Sequence, residues 1–281
     1  MTRHSGSTTD RLSSGAPMRQ VPLACWASEH SSNIQSSSSV GVRFSSIERP
    51  VGEHLLDHPI LGLSLELRAD AQVSTLAHRH TNCCLRYTSG LAGSGVNDMI
   101  MIAGNLRPAE DGGTARARLA VSAFQALSEG SVRITTRDPA VDPQVDERML
   151  SHDSDLLRMR DGVHRMREIG LHEEVRAIAT RVEYGMTGRS IEQPFSAQEL
   201  DDWMFAECSD AQHASGTCRM GAAGDPRSVV DPDCRVIGCS GLRVIDASVM
   251  PTVVRANTHL TTVMIGEKMA DHLKQSVKSH A

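Results

Sequence analysis

Aromatic side chains, long apolar runs and an excess of positive charge are all scarce in this 281-residue sequence. Aromatic residues make up only 3% of the chain, so its core must be built from Leu, Val, Ile, Met and Ala. The longest apolar runs, such as residues 99–103, are far shorter than the roughly 20 residues that a membrane-spanning helix needs. Lys and Arg number 29 against 34 Asp and Glu, a net charge of −5. We therefore expect no membrane span and no nucleic-acid partner.

Paired cysteine spacing is also missing. The seven cysteines are scattered along the chain, without the framework of a small disulfide-rich secreted domain. We expect reduced thiols and a cytoplasmic protein. Residues 1–46 contain thirteen serines and show no apolar periodicity. Such a stretch buries too little apolar surface to offset its ordering entropy, so we predict that it is disordered or a non-native leader, with a transit peptide as the alternative.

From Val51 onward the sequence shows the patterns of folded elements. Leucines at 61, 63, 65 and 67 repeat with the period of two that is typical of a half-buried strand. Further strands are predicted at residues 98–102, 118–124, 131–136 and 242–245. Because most of these strands follow one another without intervening helices, the predicted fold class is α+β, a largely antiparallel sheet with flanking helices.

Two helices are predicted after this sheet. The first has apolar residues at helical spacing over 156–166, a capping residue at Ser151 or Ser154, and Gly170 where a C-cap belongs. The second begins with a capping-box pattern at 196–199.

The segment 211–267 contains the largest concentration of chemically useful residues. His213 opens a His-Ala-Ser-Gly-Thr-Cys-Arg-Met block, and the predicted strand 242–245 leads into an Asp-Ala-Ser loop. Functional groups are common where a strand gives way to a loop. A third helix is predicted from near His259, and its unpaired N–H groups would favour an anionic group beside Thr258 to Thr261.

These blocks resemble the C-terminal signature of the glucose–methanol–choline (GMC) flavoprotein oxidoreductases. The family's His-x-x-Gly-Thr-Cys-x-Met block matches residues 213–220, and its Asp-Ala-Ser-x-Met-Pro block matches 246–251. Its Asn-Thr-Asn-like triplet matches 257–259, before a Met-Ile-Gly-Glu-Lys run at 264–268. Two upstream segments are also similar to family blocks, residues 50–59 and residues 130–150.

The resemblance implies oxidation of a small-molecule alcohol by hydride transfer to FAD. It implies that His213 is the base, since a neutral imidazole has a suitable pKa, and that His259 holds the substrate oxygen. The cofactor-binding residues that it implies are Asp246, Ala247, Asn257, Thr258, His259, Leu260 and Thr261. The implied organisation is a GMC substrate domain over 47–281 that includes a flavin-facing segment of the FAD-binding domain at 211–275.

One departure from the family is large. Its members bind the ADP half of FAD with a Gly-x-Gly-x-x-Gly strand–turn–helix, and this sequence contains no such motif. We therefore expect a truncated family member that works with a separate FAD-binding half or as a homo-oligomer. The alternative is a non-catalytic remnant or subunit.

Other polar residues have plainer explanations. His78, His80 and the vicinal cysteines at 83–84 are candidate zinc ligands, but adjacent cysteines rarely supply tetrahedral geometry. The arginines of the first predicted helix are expected to be solvated. These are Arg158, Arg160, Arg165 and Arg167.

Overall fold

The computed structural model describes residues 43–44, 50–91, 94–107 and 112–278. Most of the predicted leader at 1–46 lies outside the described residues. The strands are β1 (Arg43–Phe44), β2 (Glu53–Leu55), β3 (Pro59–Leu67), β4 (Thr81–Tyr87), β5 (Met99–Gly104), β6 (Arg116–Ala123), β7 (Gly130–Arg133), β8 (Gln144–Asp146), β9 (Ala179–Tyr184), β10 (Ser209–Asp210) and β11 (Cys239–Ser240). The α-helices are α1 (Asp153–Leu171), α2 (Glu173–Ile178), α3 (Ala197–Glu207) and α4 (His259–Lys278).

An antiparallel sheet in the order β10-β3-β6-β5-β4, with β9 also paired to β3, forms the centre of the fold. Two smaller sheets, β2-β7-β8 and β1-β11, accompany it. The alternating leucines of β3 are all buried in one core, as their period of two predicts. The predicted α+β class is confirmed, and so are the strands predicted around 61–67, 98–102 and 118–124. The strand predicted at 131–136 ends earlier, at Arg133.

Helix α1 lies against this sheet and closes the main core through Met159, Val163 and Met166. The predicted caps of α1 were wrong: His152 is the N-cap, and its side chain accepts from the Ser154 amide. Gly170 is inside the helix rather than beyond its end. A Cβ on Gly170 would lie 2.8 Å from Ile191 Cδ1, so this glycine allows close packing of α1 on its neighbours. The capping box at the start of α3 is confirmed.

The expectation that Arg158 is solvated was also wrong. Its side chain is fully buried beside Asp98 and Asp155, whose side chains are buried as well. The Arg158 guanidinium also donates to the backbone carbonyls of Ser154 and Gln125. A buried charge of this kind is tolerated because every donor group finds an acceptor.

A second, smaller core supports the C-terminal third of the chain. It includes Cys218, Val230, Val236 and Val244, together with Met269 of α4. The strand predicted at 242–245 was wrong: this segment forms one isolated bridge, between Arg243 and Arg235, and then a 3₁₀ turn at Ala247–Val249. Within the described residues, its antiparallel pairing with residues 234–236 rests on two bonds, from the Val236 amide to the Leu242 carbonyl and from the Val244 amide to the Cys234 carbonyl, which is too short a pairing to make a strand. No helix within the described residues is both long and apolar enough to cross a membrane.

Candidate active site

Backbone hydrogen bonds bring three of the sequence blocks together. Leu56 and Ser215 exchange both of their N–H···O bonds, each 2.9 Å long. The Cys218 and Met220 amides donate to the carbonyls of Ser248 and Val249, again at 2.9 Å. The 50–59, 213–220 and 246–251 blocks, which are far apart in sequence, are therefore adjacent in the fold.

Gly216 makes this close approach possible. Its φ is +87°, and a Cβ at this position would lie 2.4 Å from the His54 carbonyl oxygen. Both the left-handed backbone and the space require glycine. The turn places His213, three residues earlier, at the start of β3.

Three side chains form a hydrogen-bonded row at this point. His58, just before β3, has its Nε2 2.9 Å from the Val254 carbonyl oxygen and its Nδ1 2.9 Å from His213 Nδ1. His213 Nε2 lies 3.1 Å from Asn257 Nδ2. Phe124 packs on the row, stacked on the His58 ring at 4.3 Å and edge-on to His213 at 5.8 Å.

The row determines where the protons lie. A carbonyl oxygen only accepts, so His58 carries its proton on Nε2 and its Nδ1 has a lone pair. His213 must then donate from Nδ1–H to His58. In the neutral ring, this leaves His213 Nε2 unprotonated, with its lone pair directed at the Asn257 amide N–H.

Burial keeps both imidazoles neutral. It lowers the pKa of His58 from 6.5 to about 3, and the neighbouring His213 and Arg86 add to this effect while the bond to Val254 opposes it. Burial likewise lowers the pKa of His213, against a smaller opposing contribution from Asp210. At neutral pH His213 Nε2 is therefore unprotonated, and its single lone pair accepts from the Asn257 amide.

Asp57 holds the backbone of the two histidines. Its carboxylate accepts from the amides of His58, at 2.6 Å, and of His213, at 2.9 and 3.0 Å. Burial raises the pKa of Asp57 to about 7, although those two amide donors lower it. Asp57 therefore fixes the positions of both histidines through their backbone amides.

The other predicted site residues lie close by. Asn257, expected to contact cofactor, is the side chain beside His213 Nε2. His259 is exposed at the first position of α4, with Leu260 and Thr261 following it, and no hydrogen bond joins its side chain to the described residues. Asp246 accepts from the Ser248 amide at 2.8 Å, and Ala247 is buried beneath it. Thr258 is buried and its carbonyl accepts the first helical bond, from Thr262.

The zinc hypothesis gains no support within the described ranges. His78, His80 and the exposed cysteines at 83–84 do not come within ligating distance as a group there. The one acidic group close enough for a metal ion among the described residues is Asp57, Glu147 and Asp210. The Asp57 oxygens are already occupied by backbone amides.

The same C-terminal blocks match a known family over half of the chain. The family described as GMC oxidoreductase matches residues 126–266 through the model of its C-terminal domain. The chain belongs to the GMC oxidoreductase family. FAD is the cofactor of this family.

Curated relatives of this GMC oxidoreductase include oxygen-dependent choline dehydrogenases. The enzyme named oxygen-dependent choline dehydrogenase 1 of Chromohalobacter salexigens is 39% identical over 157 residues, which are 55% of this chain and 27% of the relative. The oxygen-dependent choline dehydrogenase of Escherichia coli O157:H7 is also 39% identical over 157 residues, which are 26% of that relative. The chain thus spans about a quarter of the length of these relatives.

Solved structures show the same fold. Pyridoxine 4-oxidase from Mesorbium loti is 25% identical, with a TM-score of 0.67 over 80% of this chain and 44% of that one. A formate oxidase from Aspergillus oryzae RIB40 has a TM-score of 0.69 over 82% of this chain and 48% of its own, at 20% identity.

The described residues of this GMC oxidoreductase fit the flavin end of FAD. The N–H groups at the start of α4 have the donor character and positive potential that suit the electron-rich edge of a flavin. The first turns of the same helix leave apolar side chains exposed, Leu260 at 79%, Val263 at 47% and Met264 at 51%. These features match a flat, partly apolar ring with an acceptor-rich edge.

Sequence reasoning overlooked His58, Asp57 and Phe124 as parts of the site. His58 and Asp57 fall within the 50–59 block, so the family resemblance contained a usable signal. Phe124 follows β6 and has no motif around it. Its position beside the histidines depends on the pairing of β6 with β3.

Proposed function

We propose that this chain is the substrate-side half of an FAD-dependent alcohol oxidoreductase in which His213 is the catalytic base. The observation that supports it most is the His58–His213–Asn257 row, which leaves an unprotonated Nε2 on a neutral, half-buried imidazole. A base for alcohol oxidation needs this combination at neutral pH.

FAD, when bound, supplies the acceptor for the hydride that leaves the alcohol carbon. The hydroxyl must lose its proton as that hydride leaves, because a carbonyl product has no O–H bond. His213 Nε2 takes the proton. The Nδ1–H···His58 bond keeps His213 in the tautomer that can do so and fixes the orientation of its ring.

Asn257 and His259 position the substrate oxygen. The Asn257 amide donates to the one lone pair of Nε2, so a hydroxyl that hydrogen-bonds His213 displaces that N–H, which can then donate to the substrate oxygen. His259 stands two residues further along, at the first turn of α4, and is proposed as the second polar contact. Asp246, Ala247 and the amides of residues 258–261 are proposed to contact the flavin end of the cofactor.

An FAD-binding half is the proposed partner, either on a longer polypeptide or as a separate chain. The exposed apolar turn of α4 at Leu260, Val263 and Met264 is proposed as part of the surface that this half and its bound flavin cover. Such a patch next to an open helix end is the kind of surface that marks an interface. Self-association into a homo-oligomer is the competing arrangement. The proposed location is cytoplasmic.

The test is flavin binding and alcohol-dependent bleaching. The chain is purified together with the FAD-binding half of the Escherichia coli relative supplied in trans, FAD is added, and small primary alcohols are mixed in without oxygen. We expect visible flavin absorbance to be retained and then to bleach. His213→Gln should keep the flavin and bleach more slowly, whereas the exposed His164→Gln on α1 should behave as wild type.

Two results would contradict the proposal. A complex that never retains flavin would favour the non-catalytic remnant. Bleaching in His213→Gln at the wild-type rate would show that another group is the base.

A further inference from the structure

We propose that Arg86 and Arg255 form an anion-binding site beside the histidine row, so that the alcohol oxidised here carries an anionic oxygen group such as a carboxylate. This inference rests on the proposed function, since it names the substrate class of the same site. The curated relatives are named for choline, a quaternary ammonium cation, so the inference also separates this chain from them.

The strand register places Arg86 on the same side of the sheet as His58. Arg86 pairs with Ile100, Ile100 with Ser122, and Ser122 with Ile60. Side chains of paired residues on neighbouring strands share a face of the sheet, and so do side chains two positions apart on one strand. His58, just before β3, and Phe124, just after β6, lie two residues beyond Ile60 and Ser122 and therefore continue the same face.

The Phe124 ring contacts both the Arg86 guanidinium and the proposed base, His213. Arg86 Cζ is 5.6 Å from the centre of this ring, which also contacts His58. Arg86 Nη2 donates to the backbone carbonyls of Asn97, at 2.9 Å, and Arg255. Nε–H and the Nη1–H groups remain as donors without a partner among the described residues.

Arg255 brings a second guanidinium to the loop at residues 95–97, whose Asn97 carbonyl accepts from Arg86. Arg255 Nη1 donates to the Val96 carbonyl at 3.1 Å. A Cβ on Gly95 would lie 2.5 Å from the Arg255 guanidinium carbon, so the absence of a side chain on Gly95 lets the arginine lie against the backbone.

Neither guanidinium is neutralised by an acid. Within the part of the chain that the structure describes, both are held by backbone carbonyls and neither is in an ion pair. Asp57 and Asp210, the acids beside His213, accept backbone amides, of His213 and of Gln212. Two uncompensated positive charges attract an anionic substrate.

The same arrangement disfavours choline. A quaternary ammonium is recognised by the open faces of aromatic rings or by carboxylates. Among the described residues, the aromatic ring that contacts the histidine row is Phe124, which already packs against His58 and the Arg86 guanidinium. A cation placed there would meet a like charge.

The test compares three small alcohols that differ in charge: 4-hydroxybutanoate, its neutral amide 4-hydroxybutanamide, and choline. Dissociation constants are measured on the full chain by ligand-observed NMR, and KM values on the complex with the FAD-binding half. We expect 4-hydroxybutanoate to bind about tenfold or more tightly than either other alcohol, the size expected of charge-assisted hydrogen bonds. Arg86→Met should abolish that preference, and Arg86→Glu should shift it toward choline.

Arg255→Met provides a second variant and should weaken 4-hydroxybutanoate binding in the same direction. Arg176→Met, at a distant exposed ion pair with Glu192, is the matched control and should change none of the constants. The inference is overturned if choline or the amide binds as tightly as 4-hydroxybutanoate, or if the preference survives in both Arg86→Met and Arg255→Met.

The two proposals fail in different ways. If the anion preference depends on Arg86 but no alcohol bleaches the flavin, the proposed function fails and the anion site stands. If choline bleaches the flavin through His213 regardless of Arg86, the proposed function stands and the anion site fails.

Discussion

His58 and Asp57 are adjacent buried groups whose pKa values are displaced in opposite directions. Burial raises the pKa of Asp57 from 3.8 to about 7 and lowers that of His58 from 6.5 to about 3. Between those limits the folded chain keeps the proton on Asp57 and leaves His58 neutral. The unfolded chain does the reverse, with an ionised carboxyl and a protonated imidazole.

These displacements give opposite contributions to the pH dependence of stability. The raised pKa of Asp57 stabilises the fold at low pH, and this contribution is lost as pH rises from 3.8 to about 7. The lowered pKa of His58 has the opposite effect, so its contribution grows as pH rises from about 3 to 6.5. Each group changes the free energy of unfolding by at most about 1.4 kcal/mol per pH unit. In wild type the two changes have opposite signs and largely cancel.

The variant Asp57→Asn removes the opposing contribution of Asp57, so the pH dependence of stability that comes from His58 should become measurable. The variant's free energy of unfolding should rise with pH between 4.5 and 6.5 more steeply than that of wild type, by up to about 1.4 kcal/mol per unit. Denaturant unfolding at three pH values measures this. Parallel pH profiles for the two proteins would show that Asp57 is ionised in the folded state.

Helix α1 shows how an element can combine an apolar stripe with one buried cation. Its Met159, Val163 and Met166 fill the core, as their spacing predicts. Arg158, next to Met159, points into the protein, where it pairs with Asp155 one turn earlier. Asp155 also accepts from Leu127 and Ser128, so it links the helix to the loop that contains them. No periodicity distinguishes such an arginine from an exposed one, since its partners Asp98 and Gln125 are distant in sequence.

Loss of the Arg158 charge should be far more damaging than loss of an exposed arginine on the same helix. Arg158→Met leaves two carboxylates buried without their cation, and we expect a loss of about 3–5 kcal/mol in unfolding free energy. Arg165→Met removes a solvent-accessible pair with Asp161 and a cation–π contact with Tyr87, and should cost about 1 kcal/mol or less. Chemical denaturation of both variants tests the contrast, and equal losses would contradict it.

At the scale of the whole molecule, local patterns predicted the elements better than the site. The leucine alternation of β3 and the capping box of α3 depend on neighbouring residues, and both are confirmed. The histidine row depends on contacts between residues 155 and 196 positions apart, which no local pattern encodes. The family resemblance named His213 and Asn257, but Arg86 and Phe124 became visible only through strand pairing.

The same long-range contacts hold the separate sequence blocks in fixed positions around one site. Asp57 and Gly216 fix the position of His213, Val254 fixes the tautomer of His58, and the start of α4 presents Asn257 and His259. The proposal of an FAD-binding half accounts for the exposed apolar turn of that helix.

The pH dependence of flavin reduction by alcohol, measured by stopped flow without oxygen, tests most directly whether His213 is the base. Because burial lowers the pKa of His213 below 6.5, the rate constant should rise with pH to a plateau, with an apparent pKa below that value. His213→Gln should lower the plateau by about 100-fold or more and remove this titration. A variant that keeps both the wild-type titration and a rate within about tenfold of wild type would contradict the account.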